Sequence, residues 1–507
     1  MINLSFSEVL ELSRTHNVIP IVDSLFSSGI TPLGAFESMT QMQPGSFLLE
    51  SAEHGVWSRY SFVGLTARGF LKQEFGEASQ WESEAGFTAL PKNVTQDLPS
   101  GALDALEMVQ GAWNSPSMAD LPPLTSGLVG ALSWDSVREV ENLPKRRAEA
   151  YNVPVLNFIQ MRSLLVFDHQ HSRIQLVSNL FVEGQTDEEL QRDYESAIEQ
   201  LAELKLQLAK PAVSYLAEPT EVLKKAAKPN QTEQAFIHTV LQAQGHVEAG
   251  DVFQVVLSQR FDRETQSSPL DVYRALRSIN PSPYMYLINL SDASGVYSIV
   301  GSSPEALVKV FDNQAIMHPI AGSKPRGKTF EEDIELAESL LSDEKERAEH
   351  LMLVDLARND LLKVCNPKSV NVTEFMKIHK FSHIQHLVST VEGSLSPDSS
   401  VVDVFRATFP AGTLSGAPKP RALEIIDDLE GDNRGLFGGV VGYFDFAGNA
   451  DLAIAIRTAL MRDGVAHVQA GAGIVLDSDP VSEFNETKNK AAVILHAIDL
   501  ADSLRRI

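Results

Sequence analysis

The sequence predicts an α+β protein in which antiparallel strands predominate. Short apolar or alternating runs bounded by Gly, Pro, Asn and Asp recur at both ends of the chain, and the stretches between them carry apolar residues at helical spacing. Near the C-terminus three such runs, LFGGVVGYFDF, DLAIAIRTALM and AHVQAGAGIV, are separated only by the tight turns AGN and RDG, which predicts connected antiparallel strands.

In chain order, SFLLES, RYSFVGL, GLVGALSW, VLNFIQMRSLLVFD and RIQLVSNLFV read as strands. DEELQRDYESAIEQLAELKLQLAK reads as a polar helix with a regular apolar stripe. The segment 214–231 mixes Pro, Lys and small polar residues without periodicity, and we expect a boundary there between an N-terminal region 1–213 and a region 232–507. Beyond it, a helix (TEQAFIHTVLQAQGHVEAG) precedes a strand (DVFQVVLSQRF), the helical YRALRSI, and the strand-like YMYLINL, YSIVGS, ALVKVF and AIMHPI. The pattern is strongly helical from Thr329 to Val364, and again around VVDVFRATF and RALEIIDDLE. Asp479 as N-cap and Pro480 at the first position predict that SEFNETKNKAAVILHAIDLADSL is a helix.

Composition excludes some functions. The 507 residues carry a net charge of −25, which disfavours nucleic acid or an anionic membrane as partner. A single cysteine, Cys365, permits no intrachain disulfide or Cys-rich metal site, which fits a reducing cytoplasm. No apolar run approaches a membrane span, and Glu8, Glu11 and Arg14 interrupt any signal peptide.

Four carboxylates stand out. Glu483 and Glu486 share a helix face, and Glu346 and Glu349 repeat the spacing in ERAEHLMLVDLARND. Facing one another across a cleft, four carboxylates repel unless a cation separates them, and an all-oxygen donor set selects Mg²⁺. The plain alternative is solvated helix surface, with Glu486 and Lys490 as an ordinary i, i+4 pair. Arg457 sits in the apolar LAIAIRTAL, where a buried guanidinium needs an anion, unless an internal Glu pairs with it. QAGAGIV and FPAGTLSGAPKPRALEII offer small-residue approaches to backbone N–H groups, though each could be a bulge or a tight turn.

In order along the chain, LLESAEHGVWSRYSFVG, INPSPYMYLINL, PIAGSKPRG, ERAEHLMLVDLARNDL, HIQHLVSTVEG, FPAGTLSGAPKPRALEII, GGVVGYFDFAGNADLAIAIRTAL and QAGAGIVLDSDPVSEFNETKNKA closely resemble the chorismate-utilising enzymes, and most closely the component I (large subunit) family of anthranilate synthases. The resemblance implies two large packed antiparallel sheets with outer helices and an active site in the cleft between them. It also implies Mg²⁺-dependent conversion of chorismate and ammonia to anthranilate and pyruvate. Carried over residue by residue, Glu349 and Glu486 would ligate the metal, and Glu346 and Glu483 would orient its waters. Arg457 and the backbone of Gly471, Ala472 and Gly473 would hold the enolpyruvyl carboxylate, with Gly322, Ser323, Thr413 and Lys490 completing the pocket. Glu305 would be the general acid, and His386 would act in the elimination of pyruvate.

Two positions choose among relatives. Ala321 stands where aminodeoxychorismate synthases carry a lysine that forms an adduct, and Gln254 stands where isochorismate and salicylate synthases carry a lysine base. Both favour ammonia as nucleophile and anthranilate as product. Phe437 departs from the family's usual tyrosine and loses a hydrogen bond to a substrate carboxylate. Ser323 and Lys324 replace a commoner threonine and arginine.

The resemblance further implies a separate glutamine amidotransferase subunit as ammonia source, in a heterodimer or heterotetramer, because no segment here offers a nucleophilic cysteine in a suitable turn. Ser51, Pro283, Tyr284 and Met285, with Tyr443 as a weaker addition, match the positions that bind L-tryptophan as feedback inhibitor. The competing expectations are an aminodeoxychorismate synthase component and a non-catalytic tryptophan-sensing homologue.

Overall fold

The computed structural model describes all residues except 1, 28, 52–58, 93, 144–150, 211–214, 223 and 381–383. Parts of LLESAEHGVWSRYSFVG, the first residue of HIQHLVSTVEG, and residues 214 and 223 of the expected boundary therefore lie outside the described residues.

Among the described residues, every paired strand is antiparallel. Strand alternation sorts side chains to two sides. In Tyr284–Asp292, Met285 and Leu287 enter a core beneath helices, whereas Tyr286, Ile288 and Leu290 enter a central core between sheet layers. Leu156–Asp168 alternates in the same way: Ile159, Met161, Leu164 and Val166 face the central core, and Leu165 and Phe167 face helices. Helices then cover the outer faces. Asp187–Leu208, Pro269–Ile279 and Pro480–Ser503 pack over one side, and Ala102–Ala112, Glu233–Glu248, Val401–Thr408 and Lys419–Leu429 over the other. This is the layered α+β architecture expected from the sequence.

Strands from the two expected regions bond directly: Phe47–Glu50 pairs with Tyr284–Asp292, and Leu128–Leu132 pairs with Val440–Phe444. One strand reading needs correction. DLAIAIRTALM is two strands, Ala450–Ile454 and Thr458–Arg462, and Arg457 sits between them with φ +51°. Left-handed backbone is costly for a long side chain, so it persists only where surrounding contacts fix it. Here the Ser302 N–H donates to the Arg457 carbonyl at 3.0 Å, and the Thr458 hydroxyl donates to the Ile456 carbonyl at 2.8 Å. No helix among the described residues is long and apolar enough to cross a membrane.

Candidate active site

Two helices carry the acidic pairs. Glu344–Leu362 begins at Asp343, whose carboxylate accepts from the N–H groups of Lys345 and Glu346. Pro480–Ser503 begins at Asp479, which accepts from the Ser482 N–H at 2.8 Å, with Pro480 in the first turn as predicted. The two helices converge on one cavity of about 830 Å³, and Glu346, Glu349, Glu483 and Glu486 all line it.

The carboxylates are not free to ignore one another. Burial and the neighbouring Glu346 push Glu349 above its ordinary range, with a further push from Glu486 on the other helix. Burial also raises Glu483, and Glu486 adds to it. Glu486 makes the ion pair with Lys490 at 2.7 Å that the plain surface reading required, and Lys490 also donates to the Gly471 carbonyl at 3.0 Å. Among the described residues, no three His, Cys, Asp or Glu side chains stand close enough to form a finished metal site. The donor set nevertheless suits a hard cation: it is all oxygen, partly desolvated, and short of positive charge. Closing it requires the two helices' carboxylates to draw together and Lys490 to yield Glu486.

Across the cavity, Glu305 follows the strand Gly295–Ser303. Burial pushes its carboxyl up to about 7, opposed by the Thr413 hydroxyl, which donates to it at 3.0 Å, and by the Lys490 charge. A carboxyl poised near neutrality is suited to giving up a proton there. His386 lies on Ile384–Ser394, with Nδ1 at 3.1 Å from the Gly322 carbonyl. Nδ1 must carry the proton to donate to a carbonyl, which leaves Nε2 as the basic nitrogen. Burial lowers its pKa against the Gly322 hydrogen bond, which raises it, and the nearby Arg457 charge adds to the lowering. Gly322 has φ +74°, and a Cβ there would stand 2.8 Å from a Glu346 carboxylate oxygen, so glycine lets an acidic helix approach this strand.

Arg457 lines the same cavity, and its guanidinium has no hydrogen-bond or ion-pair partner among the described residues. Burial lowers its pKa, the signature of a cation taken from water without compensation. An anionic ligand would supply what is missing. Gln254 lies over Gly473, where an added Cβ would meet its amide nitrogen at 2.3 Å. Phe437 is buried under the Arg434 guanidinium, its para carbon close to Gly471.

The cavity thus brings together His386, Glu305, Gln254, Gly322, Ser323, Thr413, Phe437, Arg457, Gly471, Gly473, Lys490 and the four glutamates. Ala472 does not line it: its side chain is fully buried in the core, and on this strand it alternates with Gly471 and Gly473. The same alternation reaches Gln469, a cavity-lining residue absent from the sequence reading, as are Asn280, Ser282 and Lys345.

A second cavity of about 540 Å³ holds Ser51, Pro283, Tyr284, Met285 and Tyr443 together, as the sequence reading grouped them. It is mostly apolar, with Asp451 at one wall bonded to the Tyr284 hydroxyl at 3.0 Å and to Lys309 at 3.1 Å. Ser51 Oγ is buried there without a hydrogen-bond partner among the described residues.

A family model for chorismate binding enzymes matches residues 65–496, a span that holds every residue of the first cavity. The chain belongs to that family. It is 46% identical to an anthranilate synthase component 1 from Arthrobacter globiformis, covering 100% of this chain and 95% of that protein. It is also 46% identical to one from Mycolicibacterium smegmatis, covering 97% and 93%. The structure of anthranilate synthase component I from Streptococcus pneumoniae TIGR4 superposes with a TM-score of 0.73 at 35% identity, covering 87% of this chain and 93% of that one.

Proposed function

We propose that this member of the chorismate-binding family converts chorismate and ammonia to anthranilate and pyruvate, as the large subunit of a two-component synthase. The observation that carries it is the partnerless guanidinium of Arg457 in the same cavity as an acid raised to about 7.

In this reading, Arg457 and the backbone around Gly471 and Gly473 take the enolpyruvyl carboxylate, which ends the guanidinium's isolation. Glu346, Glu349, Glu483 and Glu486 would hold Mg²⁺, which supplies positive charge to anchor the ring carboxylate when bound. Ammonia adds at C2 while the C4 hydroxyl leaves as water, taking its proton from Glu305, and the new C2-ammonium gives up a proton to water. His386 Nε2 then accepts the C2 proton as pyruvate is eliminated and the ring becomes aromatic. Gln254 is a neutral amide and cannot deprotonate the nucleophile, which ammonia tolerates and water does not. Ala321 keeps C2 clear of any lysine adduct, so the aminodeoxychorismate reading is not favoured.

A partner glutaminase supplies ammonia. L-tryptophan is the proposed occupant of the second cavity: the apolar walls suit the indole, and Ser51 and Asp451 offer polar partners to the amino acid end. Feedback then follows from linkage, each ligand weakening the other's binding by the same factor.

The test mixes the purified chain with chorismate, ammonium salt and Mg²⁺ at mildly alkaline pH, following anthranilate fluorescence and product mass. Mg²⁺-dependent anthranilate, abolished by EDTA, is the expected result. An aminated, non-fluorescent product would overturn the role given to His386. A folded chain that binds L-tryptophan without consuming chorismate would replace this reading with a sensing one.

A further inference from the structure

Three segments form the wall between the two cavities. Asn280, Pro281 and Ser282 face the first, and the next three residues, Pro283, Tyr284 and Met285, face the second. Pro304 lines both, with Glu305 on the catalytic side and Ala306 on the other. Ile320 also lines both, ahead of Ala321 and Gly322.

One hydrogen-bonded tie crosses this wall, and a second, on the catalytic side, ends at the same kink. The first starts at Tyr286, which lines the second cavity and is otherwise buried. Its hydroxyl lies 2.6 Å from Thr458 Oγ1. Thr458 commits its own proton to the Ile456 carbonyl at 2.8 Å, so Tyr286 is the donor. Gly301 makes the crossing possible, since a Cβ there would collide with the Tyr286 ring. The second tie starts at Asn280, whose amide donates to Ser302 Oγ at 3.0 Å, while that hydroxyl donates back to the Asn280 carbonyl at 2.5 Å. Ser302 Oγ also lies 2.8 Å from Ser282 Oγ, and the Ser302 N–H holds the Arg457 carbonyl. Arg457, with its left-handed φ, is therefore clamped on both flanks, by Thr458 and Tyr286 from the second cavity and by Ser302 and Asn280 from the catalytic side.

We propose that Tyr286 is a positioning residue that couples the second cavity to Arg457 through the Thr458 hydroxyl, with Ser302 holding the kink's other flank. It touches no reacting atom. A ligand that shifts Tyr284–Asp292 alters the donor that fixes Ile456–Thr458, and the guanidinium's aim changes with it. The proposal rests on L-tryptophan occupying the second cavity, and its test separates the two claims.

The experiment measures L-tryptophan affinity calorimetrically with and without saturating chorismate and Mg²⁺, with no nitrogen source so that turnover is blocked. The ratio of the two affinities is the coupling factor, commonly about 5–150-fold in allosteric proteins. In Tyr286→Phe the ring and its packing remain, so tryptophan still binds, and the factor is expected to fall at least threefold. Thr458→Val should do the same, and Thr458→Ser, which keeps the hydroxyl, should restore the parental factor. In turnover assays Tyr286→Phe should raise KM for chorismate more than it lowers kcat. Should Tyr286→Phe fail to fold, Ser302→Ala tests the kink's other flank by the same ratio. An unchanged factor in folded Tyr286→Phe, Thr458→Val and Ser302→Ala would overturn the coupling proposal alone. No tryptophan binding by the parent chain would overturn the occupant as well.

Discussion

Replacing Thr413 by valine should move the pH limit of catalysis upward. The threonine hydroxyl donates to Glu305 at 3.0 Å, and that bond opposes burial, which pushes the carboxyl up to about 7. A hydrogen bond to an ionised group is worth about 1.5–3 kcal/mol. At 1.36 kcal/mol per pKa unit, its loss lets the acid climb by about one to two units, to about 8–9. The protonated form does the work, so activity is present below the pKa and disappears as pH rises through it. Between pH 6 and pH 8 the parental kcat/KM should fall about tenfold, whereas the variant's should fall about twofold or less. The assay is kcat/KM for chorismate against pH, with un-ionised ammonia held constant, since this parameter reports groups on the free enzyme. An alkaline limb that stays put, or moves to lower pH, would refute both the role of Glu305 and the direction of the Thr413 bond.

Four further outcomes are expected. Arg457→Ala should raise KM for chorismate about 100-fold, from loss of a two-pronged charged contact, without lowering the urea midpoint, because no protein group loses a partner. Glu486→Gln should raise the Mg²⁺ concentration for half-maximal activity by about tenfold or more, read by Mg²⁺ titration of anthranilate formation. Gly473→Ala should displace the Gln254 amide and raise KM, while a melting curve shows little change because only a flexible side-chain end must move. Lys419→Met should destabilise the fold by about 3 kcal/mol in urea titrations, since it strips Asp360 of a buried 2.6 Å partner. Lys363 remains at 3.0 Å from Asp360, which keeps the loss near the lower end of the range for broken buried pairs.

The legible parts of this protein were those written in local chemistry. Asp479 and Pro480 announce a helix start, and the three-residue spacing of Glu483 and Glu486 then puts both on one face. The opposing pair, Glu346 and Glu349, could be matched to them only as a hypothesis, because no local signal says that helices 137 positions apart converge. The kink at Arg457 was illegible for the opposite reason. LAIAIRTAL is apolar almost throughout and contains neither Gly nor Pro, so nothing in it marks a break, and the left-handed turn is imposed by Ser302 and Thr458. Strand alternation, followed from Gly471 and Gly473, adds Gln469 to the site. Asn371–Lys380 also alternates in burial along NVTEFMKIHK, a period-2 pattern visible in the residues themselves. The double-sided wall at Pro304 and Ile320 has no sequence signature, since it exists only when two cavities are folded back to back.

The pairing of Leu128–Leu132 with Val440–Phe444 sets a schedule for the chain's birth. On a ribosome extending at roughly 5–20 residues per second, the early strand emerges about 300 residues before its partner and waits about 15–60 s. Through that interval LVGAL, every residue of which is buried in the finished fold, has one edge without its final neighbour. A nascent chain of this design has reason to engage a holding chaperone until its last quarter has been made.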